Sequence, residues 1–192
     1  MFLKNKKIIV RWYITALIFI FIGVIVGSLY YTYNFLKSAD IKNYLDGYTN
    51  SLRNGMDFTN IIKKSLKNNA IMFVIVAVAS FFKHGFLISA FFLVRKGFIS
   101  AFTTSAMIDV YGFKGLTLAI GSVSETLVFI PLLCFFSAIS AFVSKNRHTF
   151  EKRDKIIYII FLMVVFTIFC GCALLEGVTT TTFMKWLAFK VT

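Results

Sequence analysis

The sequence is poor in the residues that most catalytic sites are built from. Among 192 residues there are two histidines, three cysteines, one proline and eight acids. Two isolated histidines, His84 and His148, cannot supply the H-E-x-x-H pair of a metalloprotease. No G-x-S-x-G elbow and no glycine-rich phosphate loop occurs. An aspartyl dyad needs two acids that share a proton. Only Asp109 and Glu125 are candidates, and each has a simpler role below. Cys134, Cys170 and Cys172 all lie in apolar segments, and C-G-C fits neither a zinc pair nor a redox CxxC. They read as small buried hydrophobes. These absences predict a protein that is not an enzyme and holds no metal or cofactor.

Apolar sequence, by contrast, is abundant. The chain is 58% hydrophobic and 18% aromatic, with mean hydropathy +0.80. Its apolar residues come in long blocks joined by short charged links, unlike the mixed pattern of a soluble domain. The expected fold is therefore all-α: a polytopic membrane helical bundle, one integral domain over 1–192, with the lipid bilayer as its first partner. The net charge is +13. The basic residues cluster at the ends of apolar blocks, which assigns them to anionic lipid surfaces rather than to nucleic acid.

The first block, about 13–33, is too long for a signal peptide and has no cleavage site after it, so it reads as a span that is not removed. It carries Gly23 and Gly27 in a GxxxG spacing that lets a second helix approach closely. The link 37–69 predicts two amphipathic helices separated at Asn54-Gly55. The first uses Ile41, Tyr44, Leu45, Tyr48 and Leu52. The second is capped by Asp57 and sets Phe58, Ile61, Ile62 and Leu66 against three lysines. They either cover the bundle or dock a partner.

A second block, 70–94, is interrupted by Lys83, His84 and Gly85. A charge near mid-span marks a functional-site candidate. A kink at Gly85, with Lys83 snorkelling, is the simpler reading. Lys96 and Gly97 then close that span. The piece 98–108 is too short to cross about 30 Å of hydrocarbon at about 1.5 Å per residue. The turn-like run from Asp109 through Gly112 to Gly115 follows it, so a broken or re-entrant third segment is expected. Ser122 and Glu125 form an S-x-x-E capping box. That would place Glu125 at a helix start near the interface; the alternative is an acid that handles ions or protons. Pro131 falls inside the helix that follows and predicts a kink.

A basic loop, 145–155, precedes the last block at 156–175, and the tail suggests a short interfacial helix. Counted this way there are about five crossings. The positive-inside rule then puts the N-terminus and the loop 145–155 in the cytoplasm, and the link 37–69 and the C-terminus outside. The breaks near Lys83 and Asp109 also resemble the unwound helices of transport sites. With Glu125 they keep a small transporter or export accessory as the second reading, although no inverted repeat is visible.

The run LVRKGFISAFTTSAMIDVYGFKGLTLAIGSVSETLVFIPLL resembles the core of the stage II sporulation protein M family. The elements that carry the likeness are Lys96-Gly97, the turn Gly112-Phe113-Lys114-Gly115 and Leu127-Val128-Phe129-Ile130-Pro131. GVIVGS, IKNYLDGY and LLEGVTTTTFMK are similar to family patterns elsewhere in the chain. A departure is Ser124-Glu125, where sporulation members carry Pro-Gln. The resemblance implies a non-catalytic multi-pass protein of the septal, mother-cell membrane, active in engulfment. It implies as partners two peptidoglycan hydrolases, the stage II sporulation proteins D and P. Other branches of the family accompany bacteriocin secretion systems.

Overall fold

The computed structural model describes residues 6–36, 38–53, 58–146, 148, 152–179 and 182. The turn expected at Asn54-Gly55, the Asp57 cap and the tail helix lie outside the described residues. Within them the chain is all-helical: α1 Lys6–Asn34, α2 Ala39–Arg53, α3 Phe58–Ala79, α4 Gly85–Tyr111, α5 Phe113–Asn146 and α6 Lys152–Val178. Helices satisfy every internal backbone hydrogen bond, which a chain in lipid requires. Among the described residues, four helical stretches are long and apolar enough to cross a membrane: Lys6–Asn34, Gly85–Tyr111, Val128–Asn146 and Lys152–Val178. They expose large apolar side chains such as Phe21 and Met163 outward, as a lipid-facing surface should. The chain is thus an all-α, membrane-type bundle.

Contacts give each helix a direction. Trp12 meets Phe86, Gly23 abuts Val94 and Tyr31 meets Phe102, so α1 and α4 run parallel. Lys145 stands over Trp12, while Ala119 packs with Tyr31; α5 therefore runs against α1. Ser65 contacts Glu176 and Ser80 contacts Tyr158, so α3 and α6 are antiparallel. Phe73 stacks on Phe136 with centroids 5.1 Å apart, and Ser144 reaches the Phe82 carbonyl. Hence α3 follows the sense of α5. Leaving aside α2, successive helices traverse the bundle in alternating directions. One end collects the start of α1, the turn 80–84, the end of α5 and the start of α6. The other collects α2, the Gly112 turn and the end of α6.

The α1–α4 seam is glycine-lined. A Cβ at Gly23 would overlap the Val94 carbonyl, one at Gly27 the Phe98 carbonyl, and one at Gly97 the Ile20 carbonyl. Only hydrogen side chains let these two backbones touch. Beside this seam, Phe169 packs against Phe73, Phe129 and Phe136 and joins α3, α5 and α6.

Several expectations are corrected. Lys83, His84 and Gly85 do not interrupt one span. They lie at the end of the bundle, where α3 has stopped at Ala79 and α4 begins. The Phe82 amide bonds back to Ala79 and the Gly85 amide to Phe82; Ser144 donates to the Phe82 and Lys83 carbonyls. The close approach of Gly85 to the Ala79 carbonyl leaves no room for a side chain.

The second amphipathic helix of the link is not separate. It continues through Lys67, Asn68 and Asn69 into the apolar half of α3, because nothing there breaks a helix. Nor do Lys96 and Gly97 close a span, and 98–108 is neither short nor broken: it is the second half of α4. Gly97 serves packing rather than termination. Ser122 and Glu125 fall inside α5, which starts at Phe113, so they do not begin a helix; their side chains lie outside the described residues. A capping box acts only where the preceding chain leaves the helix, and here that exit occurs at Gly112. Gly112 takes φ 58° and ψ −135°, a region open to glycine alone. Pro131 lies inside α5.

Candidate functional site

Arg95 and Lys96 are the central observation. Gly23 marks the middle of the apolar stretch of α1, and it abuts Val94. Both cations therefore sit at mid-depth in the bundle, flanked on α4 by apolar sequence on either side. A cation at that depth costs about 2.5–3.5 kcal/mol on insertion scales, so it is retained only with compensation. Here compensation comes from a cleft of about 570 Å³. Asn68 and Asn69 from α3, Arg95 and Lys96 from α4, Phe129 from α5 and Glu176 from α6 all line it.

Helix register explains how the sequence builds this cleft. The polar half of α3 brings Ser65, Asn68 and Asn69 to one side of the cleft. Ser65 donates to the Glu176 carboxylate, and Asn69 donates to Ser65 at 3.4 Å. Across the cleft the Lys96 ammonium stands 4.7 Å from the Phe129 ring centroid, a cation–π contact strengthened by desolvation. Arg95 is exposed toward the cleft. Among the described residues neither cation has a carboxylate partner. The cleft thus presents fixed positive charge, amide groups and aromatic surface together.

The end that carries Glu176 is tied by tyrosine–carboxylate bonds. Tyr31 donates to Asp109 at 2.8 Å, and Tyr111 donates to Asp46 on α2 at 2.8 Å. Thr49 lies 3.3 Å from the same Tyr111 hydroxyl. Leu45, with Ile41 and Tyr48, packs onto Tyr31, Ala106 and Met107. Tyr44, placed on the same apolar face by its spacing, instead points outward and is 73% exposed. Burial, and then the Glu176 carboxylate, pushes the Tyr48 hydroxyl above its ordinary value.

At the opposite end a pocket of about 420 Å³ is lined by Trp12, Lys83, His84, Phe86, Lys145 and His148.

Most sequence candidates do not converge. Lys83 lies in the turn before α4 and Asp109 in its last turn, so the helix length, about 1.5 Å per residue, separates them. Gly115 packs against the Met107 carbonyl at the α4–α5 turn. Of the expected site residues whose side chains are described, Lys96 alone lines the cleft. Arg95 borders the span end expected at Lys96-Gly97 and Glu176 directly follows the last block, so the sequence reading singles out neither as a site candidate. The signal for Arg95 was present: apolar residues run on past Gly97 without a break in length. Nothing local in the sequence marks Glu176 as facing α3. No known family, curated protein or solved structure matches this chain.

Proposed function

We propose that this chain is a non-catalytic, multi-pass membrane scaffold of the sporulation engulfment type. It localises the stage II sporulation proteins D and P, which degrade peptidoglycan, at the septal membrane. The sequence resemblance supports the partner class. The observation that carries a scaffolding role is α2. Its apolar face is anchored on the bundle by Leu45 and by the Asp46–Tyr111 bond, while Tyr44 stands clear. A fixed helix with one free aromatic side suits protein docking.

In this proposal α3 is the fifth crossing, with Ser65, Asn68 and Asn69 of its polar half lining the cleft. The end with Lys6, Lys7, Arg11, Lys83, Lys145, Lys152, Arg153 and Lys155 faces the cytoplasm. The α2 end and the C-terminus are then extracytoplasmic, on the side where peptidoglycan lies. Affinity recovery of the two hydrolases tests the scaffold. Tyr44→Ala, with the bundle intact, lowers their recovery; undiminished recovery from a chain lacking 39–53 rejects the role given to α2.

A small transporter or export accessory is the second reading, and the mid-depth cleft favours it. Arg95→Gln with Lys96→Gln separates the two. It abolishes a transport activity and leaves hydrolase recovery unchanged if the scaffold alone operates.

A further inference from the structure

We propose that the cleft between α3 and α4 binds the phosphate headgroup of an acidic phospholipid, which enters sideways from the bilayer. This site is independent of the partner assigned to α2 above.

The cleft combines the groups that such a headgroup needs. Arg95 offers a planar fork that matches phosphate oxygens, and Lys96 adds a second positive charge beside it. Asn68 and Asn69 supply amide donors on the facing helix. No described carboxylate satisfies either cation, and Glu176 is engaged by Ser65 farther along the cleft. An anion arriving between α3 and α4 would therefore meet two positive charges that no described carboxylate neutralises, in a site where water screens them weakly.

The rest of the lining selects a lipid over a free ion. Ile71 and Ile75 on α3, and Phe91 and Ile99 on α4, line the cleft. All four are also exposed, at 49%, 40%, 63% and 44% respectively. These accessible apolar side chains give the cleft a wall along which an acyl chain can lie. A free phosphate would gain nothing from that wall. A lipid whose headgroup is drawn inward from the interface along the polar residues Asn68 and Asn69 seats its phosphate on the cations and lays its chain along Ile71, Ile75 and Phe91. The pocket at the other end, with Lys83, Lys145 and two histidines, lacks such an aliphatic wall among its lining residues.

The test uses the full chain in phosphatidylcholine nanodiscs, with thermal unfolding and native mass spectrometry as readouts. Adding phosphatidylglycerol is expected to raise Tm by several degrees and to leave bound lipid on the protein. Arg95→Gln combined with Lys96→Gln should remove that rise and weaken lipid retention at least tenfold, while Arg95→Lys keeps part of it. Asn69→Phe narrows the cleft without touching either cation and should also lose the rise, so the proposal stays testable if the double variant misfolds. Lys83→Gln with Lys145→Gln should leave the rise intact. An equal rise with added phosphatidylcholine, an equal rise with inorganic phosphate at matched ionic strength, or a phosphatidylglycerol rise that survives both cleft variants would each overturn the proposal.

Discussion

The Tyr31 hydroxyl donates a 2.8 Å hydrogen bond to Asp109, across 78 residues of sequence. It joins α1 to the last turn of α4 where the glycine seam ends. Tyr31 is almost wholly buried, at 1% exposure, and Phe102 meets its ring edge-on at 5.4 Å. Tyr31→Phe keeps the ring and removes only the donor. It is expected to lower stability by about 1.5–3 kcal/mol, as for a hydrogen bond to a charged acceptor. Thermal unfolding in detergent measures this, and an unchanged midpoint would show that the bond contributes nothing.

The glycine seam predicts a sharp positional contrast. Gly23→Ala and Gly97→Ala push a methyl into carbonyls of the opposing helix. Each should destabilise by about 1–3 kcal/mol, the range for overpacking. Gly171→Ala meets open space and should be neutral or slightly stabilising, since alanine favours a helix by about 1 kcal/mol over glycine. Equal effects at all three positions would mean that α1 and α4 are not in backbone contact.

Side-specific labelling tests the direction of each traverse. Single cysteines placed at Lys83 and Tyr44, on a background without the native cysteines, should react with an impermeant maleimide from opposite faces of the membrane. Both sites are exposed. Lys83 belongs to the end that carries Lys145, and Tyr44 to the end that carries Asp109. Labelling of both from one face would break the alternating topology.

Docking of α2 should weaken in alkali. Burial and the Glu176 carboxylate raise the Tyr48 pKa above 10.0 in the folded protein. The folded state therefore holds this proton more tightly than the unfolded chain does. That contribution to stability is complete below about pH 10 and fades as pH rises toward the folded value. Tyr48→Phe should flatten the decline, read as protease sensitivity of residues 39–53 from pH 8 to 11. An identical decline in the variant would assign the effect to another group.

Sequence patterning located the helical blocks more surely than their breaks. The first and last spans, the amphipathic α2 and the place of Pro131 inside a helix were all legible, because each depends on local apolar periodicity or on one residue's backbone chemistry. Helix ends were misread at charged or glycine-bearing steps. Lys96-Gly97 has the composition of a helix end, and Ser122 to Glu125 that of a helix start. Both lie within helices. Lys83-His84-Gly85 looked like a kink within one span, yet it separates two helices.

The amino-acid order was enough to establish the medium around this chain and the kind of element it forms. Long apolar blocks must leave water, and a backbone in lipid must bond to itself, so a helical bundle follows from composition and spacing alone. It could not say which helix faces which. A glycine is the same residue whether it ends a helix or admits a neighbour, and Gly97 admits one only because Ile20 lies opposite. Arg95 and Lys96 could have bordered a headgroup layer. They line a cleft at mid-depth because α1 and α4 register through Gly23 and Val94, and because the polar half of α3 packs on α6 at Glu176. Those contacts join residues distant in the chain, and periodicity along one helix carries no information about its partners.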